Sequence, residues 1–230
     1  MFKTWYNHFA PCDSSLFNHP SKKVEKTDDT VTLDGFLKIV MILDESGSMS
    51  SIRNDMIKSI NDLITEQKQI KERPATFTLV KFNDKTTRVV VNKPLENVKL
   101  LTTEDYNPNG STALYDCIGD TVKWFRNEKD VLLIIVTDGQ ENASTKYRKS
   151  EVLRMIEEKK ESNGWTYVYL SDDLSTAKQA DDIGIYESTY ATNCVIEKQN
   201  FGSYISKNLN SAVKSHRRTG VTVQSSLNKH

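Results

Sequence analysis

Cysteine is scarce in this 230-residue chain: there are three, Cys12, Cys117 and Cys194, far apart and odd in number. No CxxC pair occurs, so neither a disulfide framework nor a thiolate metal site is indicated, and a reducing compartment is the simpler expectation. Histidine is equally sparse. His8, His19, His216 and His230 all lie in the terminal segments, which leaves no His/Cys cluster for zinc and no histidine at usable spacing from a nucleophile. Charge of one sign is also missing, because 31 lysines and arginines balance 31 aspartates and glutamates. No global field therefore draws the chain to nucleic acid or to an anionic membrane. There is no P-loop motif GxxxxGK[ST], no internal repeat, and no apolar stretch long enough to span a bilayer. The opening MFKTWYNHFAPCDSS lacks the apolar core of a signal peptide, and a cytoplasmic location is the expectation that follows.

The length suits one well-buried α/β domain. Residues 1–35 combine scattered aromatics (Phe2, Trp5, Tyr6, Phe9, Phe17) with the polar run SKKVEKTDDT, without a helical or strand period. They read as an N-terminal arm, packed on the domain or on a partner, or else as a disordered tail. Regular patterning occupies residues 36–215, and residues 216–230 read as a frayed polar tail.

Within the regular part, FLKIVMIL (36–43) and VLLIIV (131–136) are near-continuous apolar runs, as expected of strands covered on both faces of a parallel sheet. ATFTLVKF (75–82) and TTRVVV (86–91) flank Asn83-Asp84-Lys85 and read as a hairpin. WTYVYL (165–170) is a further strand. Helical spacing joins Ile52, Met56, Ile57, Ile60, Leu63 and Ile64, and again Leu114, Cys117, Ile118, Val122 and Phe125. Residues 149–161 and a C-terminal stretch through Phe201, Ile205, Leu209 and Val213 continue the alternation. The fold class expected is α/β: a Rossmann-like, doubly wound, mostly parallel sheet with one antiparallel edge strand and helices on both faces.

Ligands of such sheets gather at the carboxyl ends of the strands. Three loops there are rich in oxygen-bearing side chains: Asp44-Glu45-Ser46-Gly47-Ser48, Asn109-Gly110-Ser111-Thr112 and Thr137-Asp138-Gly139. Singly, each reads as a helix cap or a turn. As an ordered set, Asp44, Ser46 and Ser48, then Thr112, then Asp138 resemble the DxSxS…T…D pattern of the von Willebrand factor A family. DESGSMS, PNGSTALYD and TDGQEN stand in that family's order, and the resemblance covers about residues 36–215. It is closest in character to small stand-alone bacterial and bacteriophage members.

The resemblance implies a metal-ion-dependent adhesion site. A hard divalent cation wants about six oxygen ligands, and Mg²⁺ keeps several as water. Hydroxyls of Ser46, Ser48 and Thr112 would supply neutral oxygens, with Asp44 and Asp138 close by and acting through water. A cation so held stays electrophilic and takes an Asp or Glu carboxylate from a protein partner. Mg²⁺ is the ion expected, with Mn²⁺ or Ca²⁺ as substitutes, and neither a nucleic acid nor a membrane is an expected partner. Gly47 would let the backbone turn beneath the ion. Asp116 would either orient Thr112 or stand exposed in the first helical turn. Glu141 and Asn142 either rim the site or merely lead into a helix, and Glu45 points away from it.

A binding module, not an enzyme, is the function expected. A structural or assembly subunit using the N-terminal arm is the alternative. A metal-dependent phosphohydrolase of the haloacid-dehalogenase kind is the enzymatic rival, but it needs a second aspartate where Ser46 stands.

Overall fold

The computed structural model describes residues 35–188 and 191–227. The N-terminal arm lies outside the described residues.

β1 (Leu37–Asp44) is buried along its whole length. A short 3-10 turn, Gly47–Ile52, leads into α1 (Arg53–Gln67), whose apolar stripe returns to the sheet. The hairpin of β2 (Ala75–Phe82) and β3 (Thr86–Pro94) follows, then α2 (Leu114–Trp124), β4 (Val131–Val136), α3 (Lys149–Asn163) and β5 (Thr166–Ser171). Last come α4 (Leu174–Asp182), β6 (Ala191–Val195) and a helical C-terminal run. That run comprises α5 (Phe201–Tyr204), a π-helical turn at Ile205–Leu209, α6 (Asn210–Thr219) and α7 (Val223–Leu227).

The strands form one sheet in the order β3-β2-β1-β4-β5-β6. Every pairing is parallel except β2 with β3. Parallel neighbours need covered crossovers, so β1 and β4 bury both faces and read as unbroken apolar runs. Alternation along β1 divides the core: Ile39, Met41 and Leu43 face α1 and the C-terminal helices, while Val40 and Ile42 face α2 and α3. Each such side chain contributes about 1.5–3 kcal/mol on burial. The chain leaves β1 toward β2 on one side and returns to β4 on the other. The carboxyl ends of β1 and β4 therefore form the topological switch point, where ligands of such sheets gather.

Two features differ from the expectation. α4 and β6 were not distinguished in the sequence, and β6 extends the sheet by one parallel strand beyond β5. Residues 216–227 are not a frayed tail: α6 runs to Thr219, and Val223, Gln224 and Leu227 of α7 are buried. Val223 and Leu227 join the core with Ala212 and Val213, and Arg217, 4% exposed, ties α6 to the end of α1. Its guanidinium donates to the carbonyls of Gln67, Ile70 and Arg73, at and just beyond the end of α1. No helix among the described residues is long and apolar enough to cross a membrane.

Candidate functional site

β1 ends on Asp44, and its carboxylate lies fully inside the protein, 0% exposed. Asp44 Oδ1 accepts from the backbone N–H of Ser46 at 2.7 Å, and Oδ2 accepts from Thr137 Oγ1 at 2.6 Å. Thr137 is the first residue beyond β4, so the two adjacent strands hold the carboxylate between them. Burial pushes its pKa up to about 6, against the lowering effect of the hydrogen bonds from Thr137 and Ser46 and with a further push from Asp138. Among the described residues no lysine or arginine pairs with it.

Ser46 and Ser48 lie beside this carboxylate. Their hydroxyls are 3.1 Å apart, and Ser48 Oγ donates to Asp138 Oδ1 at 2.6 Å. Ser46 is buried and Ser48 is exposed, so the cluster opens to solvent on the Ser48 side. Thr112 enters from the second loop, 3% exposed. A Cβ placed on Gly139 would lie 2.8 Å from Thr112 Oγ1 and 3.5 Å from Asp44 Oδ2, so both oxygens border that glycine. The structure thus brings Asp44, Ser46, Ser48, Thr112 and Asp138 to one place from three loops.

Backbone hydrogen bonds hold those loops together. Gly47 N–H donates to Gly110 O at 3.1 Å and Asn109 N–H donates to Glu45 O at 2.8 Å. Thr112 and Asn142 pair reciprocally: Thr112 N–H donates to Asn142 Oδ1, and Asn142 N–H to Thr112 O, both at 3.0 Å. Glu141 gathers the segment beyond, accepting from the N–H groups of Tyr115, Ala143 and Ser144. Asn142 therefore acts directly on Thr112, and Glu141 acts on the scaffold behind it.

Two expectations about the surroundings are corrected. Asp116 neither orients Thr112 nor stands exposed. It is 7% exposed and accepts from the N–H groups of Thr145, Lys146 and Tyr147, pinning the loop that precedes α3. Gly47 is not the glycine the site depends on. It has no positive φ, and a Cβ there would meet nothing nearer than Gly110 O at 3.7 Å. The constrained glycines are Gly139 and Gly110, the latter with φ of +76° and Asp84 packed against it. Glu45 turns to other partners, accepting from Lys81 Nζ at 2.8 Å and Asn107 N–H at 2.6 Å.

Sequence reasoning missed three participants. Thr137 stands in the oxygen-rich loop after β4, but its hold on Asp44 has no signal in the sequence. Tyr106, 1% exposed, donates from its hydroxyl to the Asp44 carbonyl at 2.6 Å and braces the site from behind. Lys198 donates to Asp138 Oδ2 at 2.9 Å from a turn after β6. An aromatic just before Pro108-Asn109-Gly110 was a usable signal for Tyr106. Nothing in the local sequence signalled Lys198.

The donor set suits a hard cation: three hydroxyls and two carboxylates, one of them buried without a cationic partner. Among the described residues no group of three His, Cys, Asp or Glu side chains is placed to hold a metal, so a cation here depends on the hydroxyls.

The fold is similar to several solved structures. A von Willebrand factor type A protein from Catenulispora acidiphila aligns with a TM-score of 0.56 at 16% identity, over 80% of this chain and 43% of its own. The PilB minor pilin from Streptococcus sanguinis gives a TM-score of 0.61 at 13% identity, over 84% and 64% respectively. Manganese-loaded TRAP protein from Plasmodium vivax gives 0.50 at 16% identity, over 75% and 72%. The chain spans less than two thirds of the length of the first two. No protein-family model matches the chain, and no curated protein matches it in sequence. At these identities the likeness establishes architecture: the α/β fold of von Willebrand factor A domains.

Proposed function

We propose that this chain is a metal-dependent protein-interaction module. In this reading the hydroxyls of Ser46, Ser48 and Thr112, with Asp44 and Asp138, hold a divalent cation of the Mg²⁺ type, for which Mn²⁺ or Ca²⁺ can substitute. The cation supplies an electrophilic position that an Asp or Glu carboxylate of a protein partner completes. Asp44 carries the argument. A carboxylate removed from water without a cationic partner is costly, and a divalent ion among the neighbouring hydroxyls would offset that cost. The manganese-loaded state of the Plasmodium vivax structure supports the same choice of ion.

The chain's own residues have distinct tasks. Ser46 and Ser48 present neutral oxygens and so leave the bound ion under-neutralised. Ser48, on the solvent side, marks where a partner approaches. Asn142 fixes the backbone of Thr112, and Thr137 and Tyr106 fix Asp44. Such supporting bonds decide whether ligand oxygens stand ready or must be ordered at the moment of binding. Hydroxyls that bond one another and Asp138 can turn neutral oxygens toward an ion and leave its open position to a partner, which supports binding.

The test is capture of partners from a lysate in Mg²⁺ against EDTA, with wild type and Asp44→Ala side by side. A protein retained only by wild type in Mg²⁺, and released by mutating its own acidic residue, supports the reading. Retention that ignores both EDTA and the substitution contradicts it.

A further inference from the structure

Both oxygens of Asp138 are engaged. Oδ1 accepts from Ser48 Oγ at 2.6 Å and Oδ2 from Lys198 Nζ at 2.9 Å. The same ammonium reaches the Ser48 carbonyl at 3.3 Å. It is therefore bound to two neighbouring points of the hydroxyl cluster, one of them the carboxylate assigned above to a metal ion.

The presentation of Lys198 is built. β6 is held to β5, Ile196 N–H donates to Ser171 O at 2.7 Å, and Asn200 N–H donates to Glu197 O at 2.7 Å. Glu197 also accepts from the side-chain amides of Gln199 and Asn200, closing the turn from which Lys198 projects. The Asp138 side chain is 0% exposed, whereas that of Lys198 is 31% exposed. The carboxylate is thus fixed inside while the ammonium reaches it from the rim. Asp172, at the end of the neighbouring strand, adds a second carboxylate nearby, and its buried Oδ1 has no hydrogen-bond partner among the described residues.

A buried carboxylate needs a counter-charge. A lysine ammonium is a compact charge on a flexible stem, able to supply it and to withdraw. A divalent ion at the hydroxyls and an ammonium on the same carboxylate repel each other, so the two occupants of Asp138 exclude or weaken one another. We infer that Lys198 is a tethered counter-cation of Asp138 that competes with the divalent metal ion and thereby sets the metal affinity of the site. When metal binds, the ammonium is displaced toward solvent at the rim. This inference rests on the metal-site reading of Asp138.

The test is isothermal titration of MnCl₂ and MgCl₂ into wild type, Lys198→Met and Lys198→Arg at fixed ionic strength, together with amine-directed labelling of Lys198 with and without Mg²⁺. Removing the competitor is expected to tighten metal binding about tenfold in Lys198→Met, equivalent to about 1.4 kcal/mol. Lys198→Arg, which keeps the charge, is expected to stay near wild type. Labelling of Lys198 in wild type is expected to rise when Mg²⁺ is added. Lys198→Gln serves the same purpose should the Met variant fold poorly. Metal binding by wild type with equal or weaker affinity in Lys198→Met, or labelling unchanged by Mg²⁺, overturns the inference and leaves the metal site standing. No metal binding by any variant removes the metal-site reading, and this inference with it.

Discussion

Thr137 Oγ1 and Asp44 Oδ2 lie 2.6 Å apart, joined across the carboxyl ends of two adjacent parallel strands by residues 93 positions apart in the chain. The bond fixes the orientation of a carboxylate that burial has stripped of water. It only partly offsets the burial, since the Asp44 pKa still stands at about 6 instead of 3.8.

A pH dependence follows. A carboxyl whose folded pKa is raised contributes stability that is fully present below the unfolded value and is lost as pH rises through the folded one. In EDTA, the melting temperature of wild type relative to Asp44→Asn is expected to fall between about pH 4 and pH 6 and then level off. At pH 7.5 the Asn variant should be the more stable protein without metal, by about 3 kcal/mol at most. Thermal melts of both proteins across that range check this. A wild-type-minus-variant difference that does not change with pH contradicts it.

Gly139 and Gly47 offer a contrast. Gly139→Ala puts a methyl group 2.8 Å from Thr112 Oγ1, so it should displace that hydroxyl and cost about 1–3 kcal/mol in stability. Gly47→Ala meets ordinary van der Waals distance and should leave both stability and metal affinity close to wild type. Denaturant melts and metal titrations of the two variants provide the comparison.

Asn142→Ala should weaken metal binding without removing any proposed ligand. Its side chain accepts from the Thr112 N–H, and loss of a bond that supports a metal ligand typically costs 10–100-fold in affinity. Mn²⁺ titration should show that loss, while circular dichroism shows the fold intact.

Arg217→Met tests the packed C-terminus. It leaves the carbonyls of Gln67, Ile70 and Arg73 without their buried donor, which should cost about 3 kcal/mol. For a domain of this size that is a fall of roughly 6–12 °C in melting temperature. Removing residues 216–230 should destabilise at least as much, and a truncated chain that melts like the full one would contradict the role given to Arg217.

Much of this architecture was legible in the sequence, for identifiable reasons. β1 and β4 are continuous apolar runs because both their faces are covered, and the stripes of α1 and α2 follow from their burial against them. Asp44, Ser46, Ser48, Thr112 and Asp138 stood out as an ordered set that resembles the DxSxS…T…D pattern, although each loop alone reads as a cap or a turn. α4 did not, because LSTAKQADD carries little apolar contrast, and the five-residue β6 has Thr and Asn where a central strand has Val or Ile. His216-Arg217-Arg218 read as a solvated charge run. Only the tertiary fold shows that Arg217 meets the carbonyls at the end of α1, about 150 residues away in the chain. Lys198 was hidden in the same way, since a lysine in a polar stretch gives no sign of an aspartate 60 residues earlier.

Whether the hydroxyl cluster holds a cation is decided by calorimetric titration of Mn²⁺ into the EDTA-stripped, dialysed protein, comparing wild type with Ser46→Ala and Asp44→Ala. One saturable site is expected in wild type, competed by Mg²⁺ and lost in both variants while their folds persist. Absence of saturable binding in wild type, or equal binding by all three proteins, would contradict it.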